Sequence, residues 1–445
     1  MAWNIVIAGG GFGGLHAAHK LEKLLPRQSS RLTLVNDVNF LLYTPFLPEA
    51  ASGTLEPRHV VTPIRDVLKR TFLRLGAVTS HDPEAKRVTM TNHDGEEQQL
   101  DYDQFVVSIG SVSRLLPVPG LGEHAVGFKN LADAIQLRNQ VVESLEAANA
   151  TEDAARREQL LTFVFVGGGY AGLEALAELQ DFAAAAMDRY PRARLSGMRW
   201  TLVEAMDRVL PEIDQRLADY AVRELRSRGI QILLGTRIEE LTRDDVLLST
   251  GERVPTRCVV WTTGVAPHPA LKELSLPLDD TGRVIVDDHM RVQGQPGVWA
   301  IGDGAAVPDP DRNGERSCPP TAQHAIRQGR AVAKNVAAEI GIGRAAPFEY
   351  SNKGQFVNLG RYKAVGKLGE QTFSGFPAWF MARSYHMSQI PGVSRKTRAI
   401  ADWTVSLPFR RDVAEIGSIG HPRPLTDAEY RRGGAQRPLA PAVDD

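Results

Sequence analysis

The same glycine-rich turn occurs twice in this 445-residue chain. The segments IAGGGFGGL at residues 7–15 and FVGGGYAGL at residues 165–173 each follow an apolar run and lead into apolar residues at helical spacing. In such a G-x-G-x-x-G turn, the first glycine makes the tight turn and the second lets the backbone approach a pyrophosphate. The third lets helix and strand pack closely. The sequence therefore predicts two strand–turn–helix units that each bind a dinucleotide.

The first unit departs from the usual pattern at the end of its second strand. Its turn glycines are Gly9, Gly11 and Gly14. An acidic residue that binds a ribose hydroxyl is expected about 20 residues further on. Asn36 stands there, with Asp37 beside it. Because an asparagine can also hydrogen-bond a hydroxyl, adenosine binding is still expected, and which of the two residues makes the contact stays open.

The second unit keeps the usual pattern. Its turn glycines are Gly167, Gly169 and Gly172, and the following strand ends in Glu204. A carboxylate there accepts hydrogen bonds from a ribose and repels a 2′-phosphate, which favours NADH over NADPH. Two sites in one chain indicate that a hydride passes between two bound dinucleotides. Nicotinamide and flavin are the natural pair, because a flavin can take a hydride and release two electrons to another acceptor.

Composition restricts the possible partners. The 52 basic and 53 acidic residues nearly cancel, so nucleic acid is not an expected partner. The only cysteines, Cys258 and Cys318, rule out a disulfide framework and a multi-cysteine metal site; we expect two buried thiols and no metal. Charged residues, proline or glycine interrupt every apolar run before the ~18 residues of a membrane span, and no export signal precedes the first strand.

The chain resembles the two-dinucleotide-binding-domain flavoproteins, and among them the type II NADH dehydrogenases, which are single-chain NADH:quinone oxidoreductases. The resemblance runs from residue 3 to about residue 415. It rests on the segments GGGFGGL, NFLLYTPFLPEAASGTLEPRHVVTPIR, FVFVGGGYAGLE, VVWTTGVAPHP, VWAIGDGA and CPPTAQHAIRQG. It implies FAD on the first turn, NADH on the second, hydride transfer to the flavin and then transfer of two electrons to a membrane quinone, without proton pumping.

The expected fold is α/β, with two Rossmann-like dinucleotide-binding domains, the second inserted in the first, and a small C-terminal α+β region for membrane association or dimerisation. The charged, alanine-rich segment at 143–161 is expected to be a solvated helical connector. The predicted boundaries are 1–125 and 275–345 for the FAD domain, 126–274 for the NADH domain, 346–420 for the C-terminal region and 421–445 for a disordered tail.

The resemblance also assigns residues around the cofactors. Asp303 in IGDGA would hydrogen-bond the ribityl chain of the flavin. Gly110 and Gly302 join the FAD set, and Gly264 joins the NADH set. For Asp303, the alternative is an ordinary helix N-cap.

The segment PPTAQHAIRQG implies the quinone site. In similar proteins, Ala322 and Gln323 lie beside the flavin ring, where the Gln323 amide could donate to a quinone carbonyl; a core-facing helix is the alternative. His324 is expected to be a surface or packing residue. Glu174 could relay a proton to the quinone, or serve as a structural hydrogen-bonding group.

A quinone dissolved in lipid requires contact with the membrane. In PAWFMARSYHMSQIPG, Trp379, Phe380, Met387 and Ile390 recur at spacings near 3.6, which favours an amphipathic membrane-surface helix. A dimer interface, with a possible homodimer, or plain core is the alternative, and the Pro-Gly break departs from the family pattern. The expected location is peripheral, on the cytoplasmic side of the cell membrane. Basic residues follow at Arg395, Lys396, Arg398, Arg410 and Arg411.

Three other functions are possible for this fold, and the sequence argues against the first. Flavin disulfide reductases and sulfide:quinone reductases need a redox cysteine pair, and no CxxxxC follows the first turn. A soluble reductase that passes electrons to a ferredoxin-like protein or to oxygen would lack the aromatic C-terminal segment. The third is a sensor that binds NADH and changes partners without turnover.

Overall fold

Two parallel five-stranded sheets organise the molecule. The computed structural model describes residues 2–312, 314, 316–350 and 354–415. In spatial order, the strands of the first sheet are Val298–Ala300, Gln104–Val107, Trp3–Ala8, Ser30–Asn36 and Phe72–Leu75. Those of the second are Ala125–Gly127, Cys258–Trp261, Thr162–Val166, Arg199–Val203 and Ile230–Leu233.

The strand that leads into each glycine turn is the central strand of its sheet. Of the central strands, Thr162–Val166 is buried throughout and Trp3–Ala8 is buried from Ile5 to its end. Strands covered on both faces read as continuous apolar runs, which explains why WNIVIA and TFVFV lack polar alternation.

A helix follows each turn, Phe12–Leu24 after the first and Tyr170–Ala186 after the second. Helix Ala322–Glu339 crosses the first of them closely, because Gly329 has no side chain at the crossing: a Cβ there would lie 2.2 Å from the carbonyl oxygen of Gly13. The remaining α-helices are Leu47–Ala51, Ile64–Val67, Leu121–His124, Leu131–Ala150, Ala154–Leu160, Pro191–Ser196, Gln215–Ser227, Gly375–Gln389 and Val393–Ser406.

Each unit also carries a three-stranded antiparallel sheet between its last parallel crossover and its return strand. In the first unit the strands are Ala77–Asp82, Arg87–Thr91 and Glu97–Asp101, and in the second Ile238–Leu241, Asp245–Leu248 and Arg253–Pro255. Two further short pairs are Phe40–Leu42 with Val61–Pro63 and Val284–Ile285 with Ala305–Ala306.

The chain passes between the units through one antiparallel pair, Ser111–Ser113 with Val265–Pro267. The predicted architecture of two Rossmann-like units, the second inserted in the first, is confirmed. The predicted boundaries at 125/126 and 274/275 stay predictions, and we propose the paired segments as the place where the chain crosses.

The prediction that residues 143–161 form a solvated connector was wrong, although the segment is helical as predicted. Helices Leu131–Ala150 and Ala154–Leu160 bury Leu145, Ala148 and Leu160 in the core of the second unit. Charged residues cover only the outer side, so the segment is part of the domain.

The C-terminal region is an antiparallel sheet of Gln355–Asn358, Ala364–Leu368 and Gln371–Ser374, followed by the helices Gly375–Gln389 and Val393–Ser406. The sheet side chains Val357, Leu359 and Val365 join the core of the second unit. The predicted tail at 421–445, with 416–420, lies outside the described residues. Within the described part, no helix is long and apolar enough to cross a bilayer.

Candidate active site

The first glycine turn leaves room for a phosphate. Gly9 has φ +95°, and a Cβ there would lie 2.2 Å from the carbonyl oxygen of Ser108. A Cβ on Gly14 would lie 1.9 Å from the carbonyl oxygen of Gly9. A Cβ on Gly11, in contrast, would meet nothing within 4 Å, and no side chain caps the helix that starts there. Free helix N–H groups beside open space fit a pyrophosphate.

Asn36, and not Asp37, lies against this turn. The N–H of Gly10 donates to Asn36 Oδ1 at 2.6 Å, and Asn36 Nδ2 donates to the carbonyl oxygen of Val38 at 2.7 Å. Asp37 is exposed. The side chain of Asn36 thus fixes the turn while its remaining hydrogen-bonding capacity can serve a ribose hydroxyl.

The second turn repeats the same geometry. Gly167 has φ +111°, and a Cβ there would lie 2.7 Å from the carbonyl oxygen of Thr262. A Cβ on Gly172 would lie 2.1 Å from the carbonyl oxygen of Gly167, whereas the space around Gly169 is open. The helix again begins without a side-chain cap, so this turn fits a second pyrophosphate.

Glu204 occupies the place in the second unit that Asn36 has in the first. One carboxylate oxygen accepts the N–H of Gly168, and the other accepts the N–H of Met206 at 2.7 Å. Lone pairs remain for ribose hydroxyls. Gly264, at φ +99°, also borders open space.

Asp303 is part of a polar chain that joins the two units. Ser111 Oγ donates to Asp303 Oδ2 at 2.6 Å, and Lys129 Nζ donates to Ser111 Oγ at 2.9 Å. Burial lowers the pKa of Lys129, an effect that the nearby Asp303 opposes. No motif marks Ser111 or Lys129, and sequence reasoning missed both.

The glycines beside Asp303 are also positioned by specific contacts. The N–H of Gly302 donates to Gln328 Oε1 at 2.7 Å, and this glycine has φ +75°. Gly110 has φ +75° and open space where a Cβ would stand. Asp303 does not cap a helix through its side chain, since its carboxylate binds Ser111 instead.

Glu174 carries a raised pKa. Burial raises the pKa of its carboxyl to about 8, the N–H of Asn358 opposes this by donating to Oε1 at 2.9 Å, and Glu178 and Glu49 raise it further. A carboxyl group with this pKa is mostly protonated at neutral pH, so it can donate a proton.

Gln323 connects its helix to the C-terminal region. Tyr350 Oη donates to Gln323 Oε1 at 3.3 Å, and Gln323 Nε2 donates to the carbonyl oxygen of Gly354 at 3.2 Å. One amide N–H is left for a ligand. Ala322 begins the helix beside it, and His324 is buried and stacked on Tyr350 at 3.9 Å between ring centroids. Of the two alternatives expected for His324, surface or packing residue, the structure shows packing.

Glu174 and Gln323 are held at opposite ends of one short segment. Asn358 contacts Glu174 and Gly354 contacts Gln323, and at about 3.3 Å per residue these ends lie roughly 13 Å apart. Tyr170, in the second glycine turn, is a further residue that sequence reasoning missed. Its hydroxyl is buried without a hydrogen-bond partner among the described residues, and burial, Glu212 and Glu174 raise its pKa.

The cysteines do not support disulfide chemistry. Cys258 and Cys318 are both free and buried. Burial raises the pKa of each thiol to about 12. Because the thiolate is the reactive form, neither thiol is activated at neutral pH.

The predicted membrane-facing stripe was wrong for most of its residues. Trp379 is 8% exposed and Ile390 is 3% exposed, and Met387 packs against the same apolar cluster as Ile390. Phe380 alone of the four is well exposed, at 59%. The helix lies on the body of the protein, and its inward side carries Ala378, Trp379, Ala382 and Arg383. The exposed large apolar side chains at this end are Phe376, Phe380, Val393, Ile400, Val405, Leu407 and Phe409.

The basic residues at 395–411 that follow this stripe lie partly at the surface and partly inside the protein. Arg411 is buried and pairs with Glu178 at 3.4 Å and Asp181 at 3.1 Å. Arg398 and Arg410 stay exposed, and Arg395 and Lys396 are half-buried.

Comparison with known proteins shows the family to which the chain belongs. Residues 3–329 match the family described as pyridine nucleotide-disulphide oxidoreductase, and the chain belongs to that family. Within it, the chain belongs to the type II NADH dehydrogenases. A probable NADH dehydrogenase of Dictyostelium discoideum is 30% identical over 93% of this chain and 91% of its own length.

Two further similarities complete the comparison. A type II NADH:quinone oxidoreductase of Mycobacterium tuberculosis is 30% identical over 91% of this chain and 88% of its own length. The structure of NDH2 from Plasmodium falciparum in complex with NADH has a TM-score of 0.85 at 18% identity, covering 93% of this chain and 100% of that one. At that identity the structural likeness shows the shared fold.

Proposed function

We propose that this protein is an FAD-dependent oxidoreductase that takes a hydride from NADH and passes two electrons to a membrane quinone, without proton pumping. The observation that carries the proposal is the pair of matched glycine turns, each open at its second glycine, in two units with the same strand order around the turn. The relatives named as NADH:quinone oxidoreductases support the acceptor. When bound, the flavin supplies the redox chemistry, and the protein supplies orientation and electrostatics.

The first unit holds FAD and the second holds NADH. The N–H groups at each glycine turn and helix start bind a pyrophosphate. Asn36 and Glu204 accept hydrogen bonds from hydroxyl groups of the two riboses. The flavin end is held at Asp303. The remaining FAD residues are Gly9, Gly11, Gly14, Gly110 and Gly302, and the remaining NADH residues are Gly167, Gly169, Gly172 and Gly264.

The quinone docks at the start of helix Ala322–Glu339. Gln323 donates its remaining amide N–H to a quinone carbonyl, and the small side chain of Ala322 leaves room for the ring. Glu174 holds a proton at neutral pH and supplies it during quinone reduction, because burial raises the pKa of its carboxyl group to about 8.

The protein attaches peripherally to the membrane through its C-terminal helices. The exposed phenylalanines Phe376 and Phe380 and the exposed Val393 support this, because single large apolar side chains on a basic surface insert into a lipid headgroup layer. Attachment to the cytoplasmic side of the cell membrane and a homodimer stay predictions.

An anaerobic absorbance titration tests the two half-reactions separately. NADH should bleach the flavin, and a soluble quinone should restore its colour. Gln323→Ala should slow recovery by quinone and leave bleaching by NADH unchanged, with the exposed Gln99→Ala as the matched control. If NADH bleaches the wild-type flavin but quinone does not restore its colour, the electron acceptor is a protein or oxygen. If Gln323→Ala slows both half-reactions equally, Gln323 is not part of the quinone site.

A further inference from the structure

A cavity of about 930 Å³ lies beside the C-terminal helices, and its lining includes none of the residues assigned to NADH or quinone. Its walls are helix Phe12–Leu24, the stretch at 62–69, helix Ala322–Glu339 and the junction of the last two helices at 388–395. Cavities of roughly this size hold drug-sized ligands.

The cavity is strongly basic, although the whole chain has a net charge of −1. Asp66 is the one acidic residue in the lining, and no lining Lys or Arg forms an ion pair with a carboxylate among the described residues. Uncompensated charges of one sign in a concave site attract an anion. The six cations are Lys20, Lys23, Lys69, Arg330, Lys334 and Arg395.

The nearby carboxylate of Glu22 forms no ion pair with these cations among the described residues, and together with Asp66 it supplies two negative charges against six positive ones. Glu22 accepts the N–H of Lys69 at 3.1 Å, the N–H of Arg70 at 2.7 Å and the N–H of Thr71 at 2.8 Å. The carboxylate therefore closes a loop at the edge of the cavity.

The pKa values of two histidines in the lining are lowered, in part by the nearby cations. Burial lowers the pKa of His16 to about 4, and Arg330 acts in the same direction. Burial also lowers the pKa of His19, and so does Lys23. The Nδ1 atom of His19 is buried without a hydrogen-bond partner among the described residues.

The mouth of the cavity continues into an apolar surface. Val393 lines the cavity and is 79% exposed. Ile400 and Leu407 follow at seven-residue intervals, which places them on the same side of the helix, and both are at least half exposed. A ligand in the cavity can therefore contact cations and apolar side chains together.

We propose that this cavity binds the phosphodiester headgroup of an anionic phospholipid, with the acyl chains along the stripe of Val393, Ile400 and Leu407. Lysine and arginine form strong charge-assisted hydrogen bonds to phosphate oxygens. Free phosphate shares that chemistry but would leave the apolar stripe uncovered. The assignment rests on the peripheral membrane attachment proposed above.

Vesicle binding tests the assignment. Full-length protein with FAD is sedimented with phosphatidylcholine vesicles that contain or lack phosphatidylglycerol. The double variant Arg330→Gln/Lys334→Gln removes two cavity charges, and Lys272→Gln/Arg344→Gln removes two exposed charges that do not line the cavity. We expect the cavity variant to bind anionic vesicles roughly tenfold more weakly or worse, and the control to bind like the wild type.

Each outcome separates this site from the enzymatic function. NADH bleaching and recovery with a soluble quinone should be equal in all three proteins; an absence of recovery in the wild type would refute the quinone function and leave the lipid result readable. Equal vesicle binding by both variants would overturn the lipid site. Inorganic phosphate at constant ionic strength is the second probe: if it binds in a cavity-dependent way while vesicle binding does not depend on the cavity, the site belongs to free phosphate.

Discussion

At the scale of single residues, Glu174 predicts how quinone reduction depends on pH. Its pKa of about 8 lies above that of an ordinary glutamate because the carboxyl is buried. The carboxyl keeps its proton below that pH and loses it above, so the rate of quinone reduction should be flat below pH 8 and fall as the pH rises through it. Glu174→Gln keeps an oxygen for the N–H of Asn358 but no transferable proton. It should lower the rate by roughly 10²-fold and remove the pH step.

Rapid-mixing absorbance measurements of flavin reoxidation across this pH range would check the prediction. Glu239→Gln, an exposed carboxyl of the second unit, is the control and should follow the wild type. A Glu174→Gln protein that retains both the rate and the pH step would leave Glu174 with only its hydrogen bond to the C-terminal strand.

Glu204 predicts the choice between NADH and NADPH. A 2′-phosphate near its carboxylate would meet like-charge repulsion worth about 1 kcal/mol in water and about 4 kcal/mol near a protein surface, at ~4 Å. Glu204→Gln keeps an oxygen for the N–H of Gly168 and removes the charge. The ratio of kcat/KM for NADPH to that for NADH should therefore rise roughly tenfold or more. Steady-state kinetics with both nucleotides measure it, and an unchanged ratio would assign selectivity elsewhere.

At the residue scale, sequence spacing predicts the place of a side chain in the fold where that place is local to a motif. The spacing from each turn placed Asn36 and Glu204 at the strand end, and the structure brings both against the turn N–H groups. Ser111 and Lys129 could not be found in this way, because the chain to Asp303 joins two units and depends on how they pack.

At the scale of elements, the crossing of helices Phe12–Leu24 and Ala322–Glu339 supports the first turn from behind. Gly329→Ala would place a Cβ about 2 Å from the carbonyl oxygen of Gly13, a rigid backbone atom. The helices must separate, which should destabilise the protein by roughly 1–3 kcal/mol and weaken FAD retention. Thermal unfolding and the ratio of flavin to protein absorbance measure the two effects.

The matched control for this crossing is Gly122→Ala. Gly122 lies in helix Leu121–His124, and a Cβ there would meet nothing within 4 Å. That variant should retain its flavin and its thermal stability. If Gly329→Ala also retained both, close approach at the crossing would not be what supports the flavin site.

The positions of the strands and helices could largely be predicted from the sequence, but the side of a helix that faces water could not. Apolar runs and glycine turns gave the central strands, and helical spacing gave helix Ala322–Glu339. The same spacing in helix Gly375–Gln389 was assigned to the membrane, yet Trp379 faces the protein. A periodic apolar pattern identifies a side that is removed from water but does not say what covers it.

At the scale of the whole molecule, a buried ion pair between Arg383 and Glu49 connects the C-terminal helices to the first unit. Arg383 Nη2 lies 3.1 Å from Glu49 Oε1, and both side chains are buried. The indole N–H of Trp403 donates to Glu49 Oε2 at 2.6 Å, and the rings of Trp379 and Trp403 flank the guanidinium. Glu49 is more than 300 positions from Arg383 and from Trp403, so no local pattern in the sequence could have paired them.

Arg383→Met should therefore loosen the C-terminal region from the rest of the protein. It leaves Glu49 buried without its cation, which typically costs about 3–5 kcal/mol. Burial already raises the pKa of Glu49, and loss of Arg383 removes an opposing charge. With a native pKa above the unfolded one, stability is greatest at low pH and falls as the pH rises toward the native pKa. Urea unfolding at several pH values should show a deficit that grows with pH.

The double variant Arg383→Met/Glu49→Gln separates the ion pair from simple packing. Glutamine cannot ionise, so this protein should recover much of the lost stability and show no growing deficit at high pH, since a buried pair replaced on both sides costs far less than a pair broken on one. The exposed Arg398→Met on the next helix is the control and should unfold like the wild type. If the single and double variants were equally unstable at every pH, the ion pair would not be what stabilises the C-terminal region. Arg383 would then contribute through its packing between two tryptophans.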